Sequence, residues 1–315
     1  MQTTELRPYG AGELLDRAVT LFVRQFVPIV VVLAVVIVPL AMLQAYISPE
    51  SARIFSDLSQ LLTAGSPAAQ REVADSMALH TGNAGTVVAF VMLELLVRLL
   101  MWGAVISLIA SAYLGARSSI AQAYRVGLRR WLPQLVVAFA FVVIGVLVGI
   151  PLFIAYFVLI LTVVATAALK LLAVTVAVAI MGGLAVLAAF VIAFAWVFMA
   201  YELATFAVIT ETSNPIEAVG TAVRRGLARG MRWRTVVGGL VVLLVSQAGA
   251  IPAVAVGALA SAATHVDVLY FAVVGAGTVL LEGLVATFVV VYAVDVRVRR
   301  EGWDIIAAEP PPTTA

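Results

Sequence analysis

The chain has 315 residues and a formal net charge of only +2; 63% of its residues are hydrophobic and 11% are charged, against roughly 45–50% and 25% in soluble domains. A water-soluble fold of this size has nowhere to hide so much apolar surface, which leaves an integral membrane protein. With no cysteine, disulfides and thiolate metal sites are excluded.

The first 25 residues contain acids and no leading apolar core, so the first span is expected to stay as an anchor. Residues 10–24 read as an amphipathic surface helix. It starts at Gly10 with Glu13 three positions on, carries Leu14, Ala18 and Phe22 on one face, and Asp16, Arg17, Thr20 and Arg24 on the other. A first span follows at 26–47, with Pro39 inside it, then an outer loop at 48–85 and a second span at 86–114. Residues 119–131 form a second surface helix: Ser119 and Gln122 have capping-box spacing, Ile120, Tyr124 and Trp131 are apolar, and Arg125 and Arg129 lie opposite. The third span, 134–165, carries Pro151, and its Gly145 and Gly149 form a small-xxx-small step expected to admit a close neighbour. A fourth span is read at 172–210. The only charges across 131–210 are Lys170 and Glu202, and the Gly182-Gly183 pair is expected to end a short outer helix before the span proper.

"SNPIEAVGTAVRRGLARG" then interrupts the apolar run. At 214–230 it reads as a third surface helix, with Asn214 as N-cap, Pro215 at the first helical position and Glu217 three residues after the cap. Ile216, Val219, Val223 and Leu227 share one face; Glu217, Thr221, Arg224, Arg225 and Arg229 share the other. Spans at 235–260, with Pro252, and 269–296 complete the membrane domain, 1–305, and a Pro/Thr-rich tail at 306–315 is expected to be disordered.

Charge placement sets the topology. With six spans and an inner N-terminus, fifteen of the 19 basic residues fall on the inner side: Arg7, Arg17 and Arg24; Arg117, Arg125, Arg129 and Arg130; Arg224, Arg225, Arg229, Arg232 and Arg234; and Arg297, Arg299 and Arg300. Positive residues favour the cytoplasmic side of short loops, and a third span inside 131–210 would put an Arg-rich stretch outside. The expected fold is therefore all-α: a polytopic bundle of six transmembrane helices and three cytoplasmic amphipathic helices, termini inside. Each surface helix leads into a span with an aliphatic-Pro step (Pro39, Pro151, Pro252) and then a returning span, which reads as three repeats starting at 10, 119 and 214. The competing reading is that capped basic helices before spans are common and the likeness is chance.

The closing stretch "VYAVDVRVRREGWDI" carries Tyr292, Asp295, Arg297, Arg299, Glu301, Gly302, Trp303 and Asp304 in the order Tyr, Asp-x-Arg-x-Arg, Glu-Gly-aromatic-Asp. It resembles the closing motif of the glycerophosphoryl diester phosphodiesterase membrane-domain family. "LRPYGAGELLDRAVTLFVRQF", "AYLGARSSIAQAYRVGLRR" and "VITETSNPIEAVGTAVRRG" resemble that family's other motifs, so the likeness covers nearly the whole chain. Residues 131–210 are longer and richer in Ala and Val than the family pattern. In some members the membrane domain is joined to a catalytic barrel whose chemistry needs carboxylate-held metal and histidines; this chain looks like a stand-alone member without it. The resemblance carries no activity across.

Glu94 and Arg98 lie four apart inside the second span, on one helix face. Each costs about 2.5–3.5 kcal/mol at the bilayer centre on insertion scales, so partners are required. Glu282 stands at a depth that lets it meet Arg98, and Glu202 lies nearer the cytoplasmic end of its span. The four read either as a polar site for proton coupling or an ionic substrate, or as ion pairing that fixes helix rotation. Arg17, Arg24, Arg125, Arg129, Arg224, Arg225 and Arg229 are candidates for contact with anionic lipid headgroups or a membrane protein partner. His80 and His265, with Asp75 and Asp267 near them, are too few for a zinc site, so no metal and no cofactor is expected. Nucleic-acid binding does not fit a net charge of +2 spread along three helices.

No phosphate loop, dinucleotide fingerprint, zinc-protease helix or nucleophile elbow occurs, so no catalytic residues are assigned. These features favour a non-enzymatic scaffold or accessory protein of the bacterial cytoplasmic membrane. A small-solute or lipid transporter using Glu94, Arg98 and Glu282 is the alternative, and a membrane-embedded enzyme the weaker one.

Overall fold

A computed structural model describes residues 8–47, 84–116, 118–264 and 266–302. Most of the outer loop, both histidines, Trp303, Asp304 and the tail lie outside the described residues.

The protein is a helical membrane bundle: the described residues contain eight helices and no strand. They are α1 (Ala11–Arg24), α2 (Phe26–Ile47), α3 (Ala84–Tyr113), α4 (Ile120–Ala168), α5 (Leu172–Thr210), α6 (Pro215–Leu227), α7 (Arg232–Thr264) and α8 (Asp267–Glu301). Six of them, α2, α3, α4, α5, α7 and α8, are long and apolar enough to cross a bilayer.

Two expectations are corrected. The second surface helix is not a separate element: α4 runs unbroken through Trp131 and Pro133 into the span. Its capping box is present, with Ser119 N–H donating to Gln122 Oε1 (3.0 Å) and Gln122 N–H to Ser119 Oγ (3.2 Å). Pro133 removes one helical donor, the partner of the Arg129 carbonyl, a loss that solvent or a headgroup offsets where the helix has not yet entered hydrocarbon. Nor does Gly182-Gly183 end a helix, since α5 continues through both. Glycine breaks a helix when water competes for its backbone, and apolar surroundings remove that competitor. The α4–α5 turn instead falls at Lys170, whose φ of 58° is left-handed, with Lys170 N–H donating to Ala167 O at 2.9 Å.

The described residues divide into two compact units, one from those up to 131 together with 245–291, the other from 132–244 together with 292–302. In the first, α2 buries Ile29, Val32, Leu33, Val36 and Ile37, the i, i+3, i+4, i+7, i+8 stripe of a helix that looks apolar all round. Its other side leaves Val27, Val31 and Val35 exposed, as a lipid-facing surface would. Gly283 of α8 sits against this stripe, where an added Cβ would lie 2.8 Å from Phe22 of α1 and 2.9 Å from Ile29. The start of α4 crosses α3 as closely, since a Cβ on Gly127 would stand 2.6 Å from the Leu100 carbonyl oxygen. Tyr124 donates to Val32 O at 2.6 Å beside it.

In the second unit the core is the C-terminal half of α5, with Met199, Leu203, Phe206 and Val208 buried. A Cβ on Gly239 of α7 would collide with the Ala195 backbone, so this crossing requires glycine. Helix α6 rests on α5, with Trp196 Nε1 donating to Gly226 O at 3.4 Å. Gly145 and Gly149, expected to be a packing step, have nothing within 4 Å of an added Cβ. Small residues at four-residue spacing permit a close approach, and among the described residues no helix makes one here.

Candidate functional site

The structure brings three of the four intramembrane candidates together in the first unit. Arg98 Nε donates to Glu94 Oε1 at 2.9 Å, the pairing of residues one helical turn apart, and Arg98 Nη1 pairs with Glu282 Oε1 from α8. Arg98 stands ten residues from Val88 and fifteen from Tyr113, the limits of its span, or about 15 and 22 Å at 1.5 Å per residue. It therefore lies well inside the apolar zone, where an unpaired charge is most costly. The Arg98 side chain is nevertheless 42% exposed, and Glu282 Oε2 is buried with no hydrogen-bond partner among the described residues. Two carboxylates against one guanidinium leave a formal surplus of one negative charge. The trio can fix the rotation of α3 against α8, and it has capacity left for a proton or a ligand donor. Glu202 belongs to the second unit, where it is buried.

The closing motif builds a different feature. Asp295, fully buried, accepts from Arg299 Nε at 2.9 Å and from Arg234 Nη2 of α7 at 3.4 Å. Tyr292 donates to Thr235 Oγ1 at 3.3 Å. Glu301 accepts from Arg297 Nε at 3.2 Å and from Arg225 Nε of α6 at 3.1 Å, and Gly302, at φ 61°, takes the chain out of the helix. Arg225 also forms a bidentate pair with Glu211, 3.0 and 2.8 Å, at the end of α5. The motif is thus an electrostatic clasp that ties α5, α6, α7 and α8 together inside the second unit.

This corrects one assignment. Arg225, a candidate for contact with lipid headgroups or a membrane protein partner, is only 8% exposed and is held by two carboxylates. Burial alone would lower the pKa of its guanidinium, but Glu211 and Glu301 hold it above its ordinary value, so it stays charged. The other six arginines differ in setting. Arg17 lies over the Tyr9 ring at 4.1 Å. Arg24, Arg125, Arg129, Arg224 and Arg229 are exposed, and Arg224 is steadied by Gly220 O at 3.2 Å.

Each surface helix has three faces, where the sequence shows two. Counted from Gly10, Ser119 and Asn214, the fourth and eighth residues are buried in every case: Leu14 and Ala18, Ala123 and Gly127, Ala218 and Ala222. The thirteenth is apolar and exposed: Val23 at 65%, Leu132 at 59% and Leu227 at 46%. The tenth is polar and exposed: Thr20, Arg129 and Arg224. A narrow face of small residues docks the helix on protein, a second apolar face is left open, and a polar face lies beside it. The sequence puts Ile216, Val219, Val223 and Leu227 on one apolar face, yet the helix docks through Ala218, Ala222 and Gly226, which a hydropathy wheel weights lightly.

These features define the class: a multi-pass helical membrane protein. Compared with protein-family models, curated proteins and solved structures, the chain finds no match in any of the three.

Proposed function

We propose that the protein is a non-enzymatic scaffold or accessory protein of the bacterial cytoplasmic membrane, with both termini in the cytoplasm and with α1, the first turns of α4 and α6 at the inner headgroup layer. The observation that carries this reading is the open apolar face beside a basic or polar one on each surface helix, the form of an interfacial amphipathic helix. Lipid tails would cover Val23, Leu132 and Leu227, and headgroups would meet the exposed arginines, each worth about 1 kcal/mol near an anionic leaflet.

The three-repeat reading is supported by the shared burial register and by one recurring contact. The second surface helix places Gly127 on Leu100 of α3, the third places Gly226 near Trp196 of α5, and the first places Phe22 on Gly283 of α8. Each packs on the returning span of the repeat before it, with the first taking the last. The resemblance to the glycerophosphoryl diester phosphodiesterase membrane-domain family belongs to the same proposal. It rests on the quoted motifs, and the clasp gives the closing one a structural reason.

A transporter is the second reading, favoured by the half-buried mid-span Arg98 and the unpartnered Glu282 oxygen. Proteoliposomes loaded with a pH-sensitive dye separate the scaffold from a proton-coupled transporter. A scaffold gives proton flux equal to that of protein-free vesicles, with Arg98→Ala unchanged. Flux above that background that is lost in Arg98→Ala and Glu282→Gln would replace the scaffold with the transporter.

A further inference from the structure

The three junctions between surface helix and span are built differently. Gln25 alone separates α1 from α2, and α4 has no break, but 228–231 forms a true corner between α6 and α7. Ala228 is extended (ψ 144°), and Gly230, at φ 85°, turns the chain back so that α7 starts at Arg232. The corner forms an open recess of about 390 Å³ lined by Arg229, Gly230, Arg232 and Trp233.

We propose that this recess seats the phosphate headgroup of a single anionic phospholipid. The inference rests on the reading that α6 lies in the headgroup layer. Charge is the first support. Arg225, Arg234, Arg297 and Arg299 of the same unit each face a carboxylate. By contrast, Arg229 has no hydrogen-bond or ion-pair partner among the described residues, Arg232 donates only to Leu227 O at 2.8 Å, and no acid lines the recess. The amino-terminal end of α7, with its partial positive charge, opens onto the same corner. Gly230 leaves its backbone bare for close approach.

A free phosphate would satisfy the arginines and the helix end, but would leave the apolar rim unused. Trp233, 68% exposed at the first turn of an apolar span, is the interfacial aromatic that marks headgroup depth. Leu227, exposed on the other side of the corner, offers a surface for the start of an acyl chain. The two together select a lipid over a soluble anion.

The test is titration of the full chain in neutral detergent with short-chain phosphatidylglycerol and with phosphatidylcholine of the same acyl length, bound lipids being counted by native mass spectrometry. The expected result is a preference for phosphatidylglycerol that falls about 30-fold in Arg229→Gln/Arg232→Gln, as two near-surface arginines of about 1 kcal/mol each require. It survives in Arg229→Lys/Arg232→Lys. An equal unfolding temperature for the Gln variant shows that it still folds. An unchanged preference in that variant overturns the proposal, and so does displacement of the lipid by inorganic phosphate at similar concentration, which would make the corner a plain anion site. If cysteine labelling placed Arg229 on the outer side, the scaffold topology would fail while a measured headgroup preference would still stand.

Discussion

At the residue scale, arginine is not one kind of side chain in this protein. Arg225 is desolvated and bound by Glu211 and Glu301; Arg224, one position away, is exposed. Arg225→Ala leaves two carboxylates facing a hole and is expected to destabilise the protein by about 3 kcal/mol, whereas Arg224→Ala stays within about 0.5 kcal/mol. Thermal unfolding in one detergent compares them directly. Glycine divides the same way. Gly239→Ala forces α7 off α5, with an expected loss of about 2–3 kcal/mol, while Gly145→Ala meets nothing and is neutral or slightly stabilising. Lys170 adopts a left-handed conformation that its side chain disfavours, so Lys170→Gly is expected to raise stability by about 1 kcal/mol in the same assay.

At the element scale, the existence of the helices and the span count could be read from the sequence, because six apolar runs separated by charge have one reading in a bilayer. The Arg98–Glu282 meeting was also legible, since depth along a span follows from residue number alone. Continuity was not. Pro133 and Gly182-Gly183 are breakers by the rules of water, and in α4 and α5 the helix passes through each. Rotation was half legible. The Ser119–Gln122 capping box and the Asn214 cap fixed where the second and third surface helices begin, but the docking face is written in Ala and Gly, whose small hydropathy hides their role in letting backbones approach. The clasp was visible as a motif without a purpose, because pairing Asp295 with Arg234 and Glu301 with Arg225 joins residues 61 and 76 positions apart. If the open faces are lipid-covered, Val23→Asp/Leu227→Asp leaves the fold intact and weakens the hold of the surface helices on membrane. Hydrogen exchange in nanodiscs would then rise in α1 and α6 and stay unchanged in α8.

At the scale of the whole molecule, the account depends on sidedness: three basic surface helices, each followed by a pair of spans, share one aqueous compartment. Charge bias, the common burial register and the recurring contact with the preceding return span all favour that arrangement. The scaffold reading, the lipid seat's leaflet and the repeat depend on it together. The absence of cysteine makes a direct measurement possible. Single cysteines are placed at Thr20, Ala121 and Ser213, with Ser66 in the expected outer loop as control, and intact cells are treated with a membrane-impermeant maleimide. The account predicts that only the Ser66→Cys protein is labelled in intact cells, and that the other three react once the membrane is opened. Labelling of any one of those three from outside would contradict it.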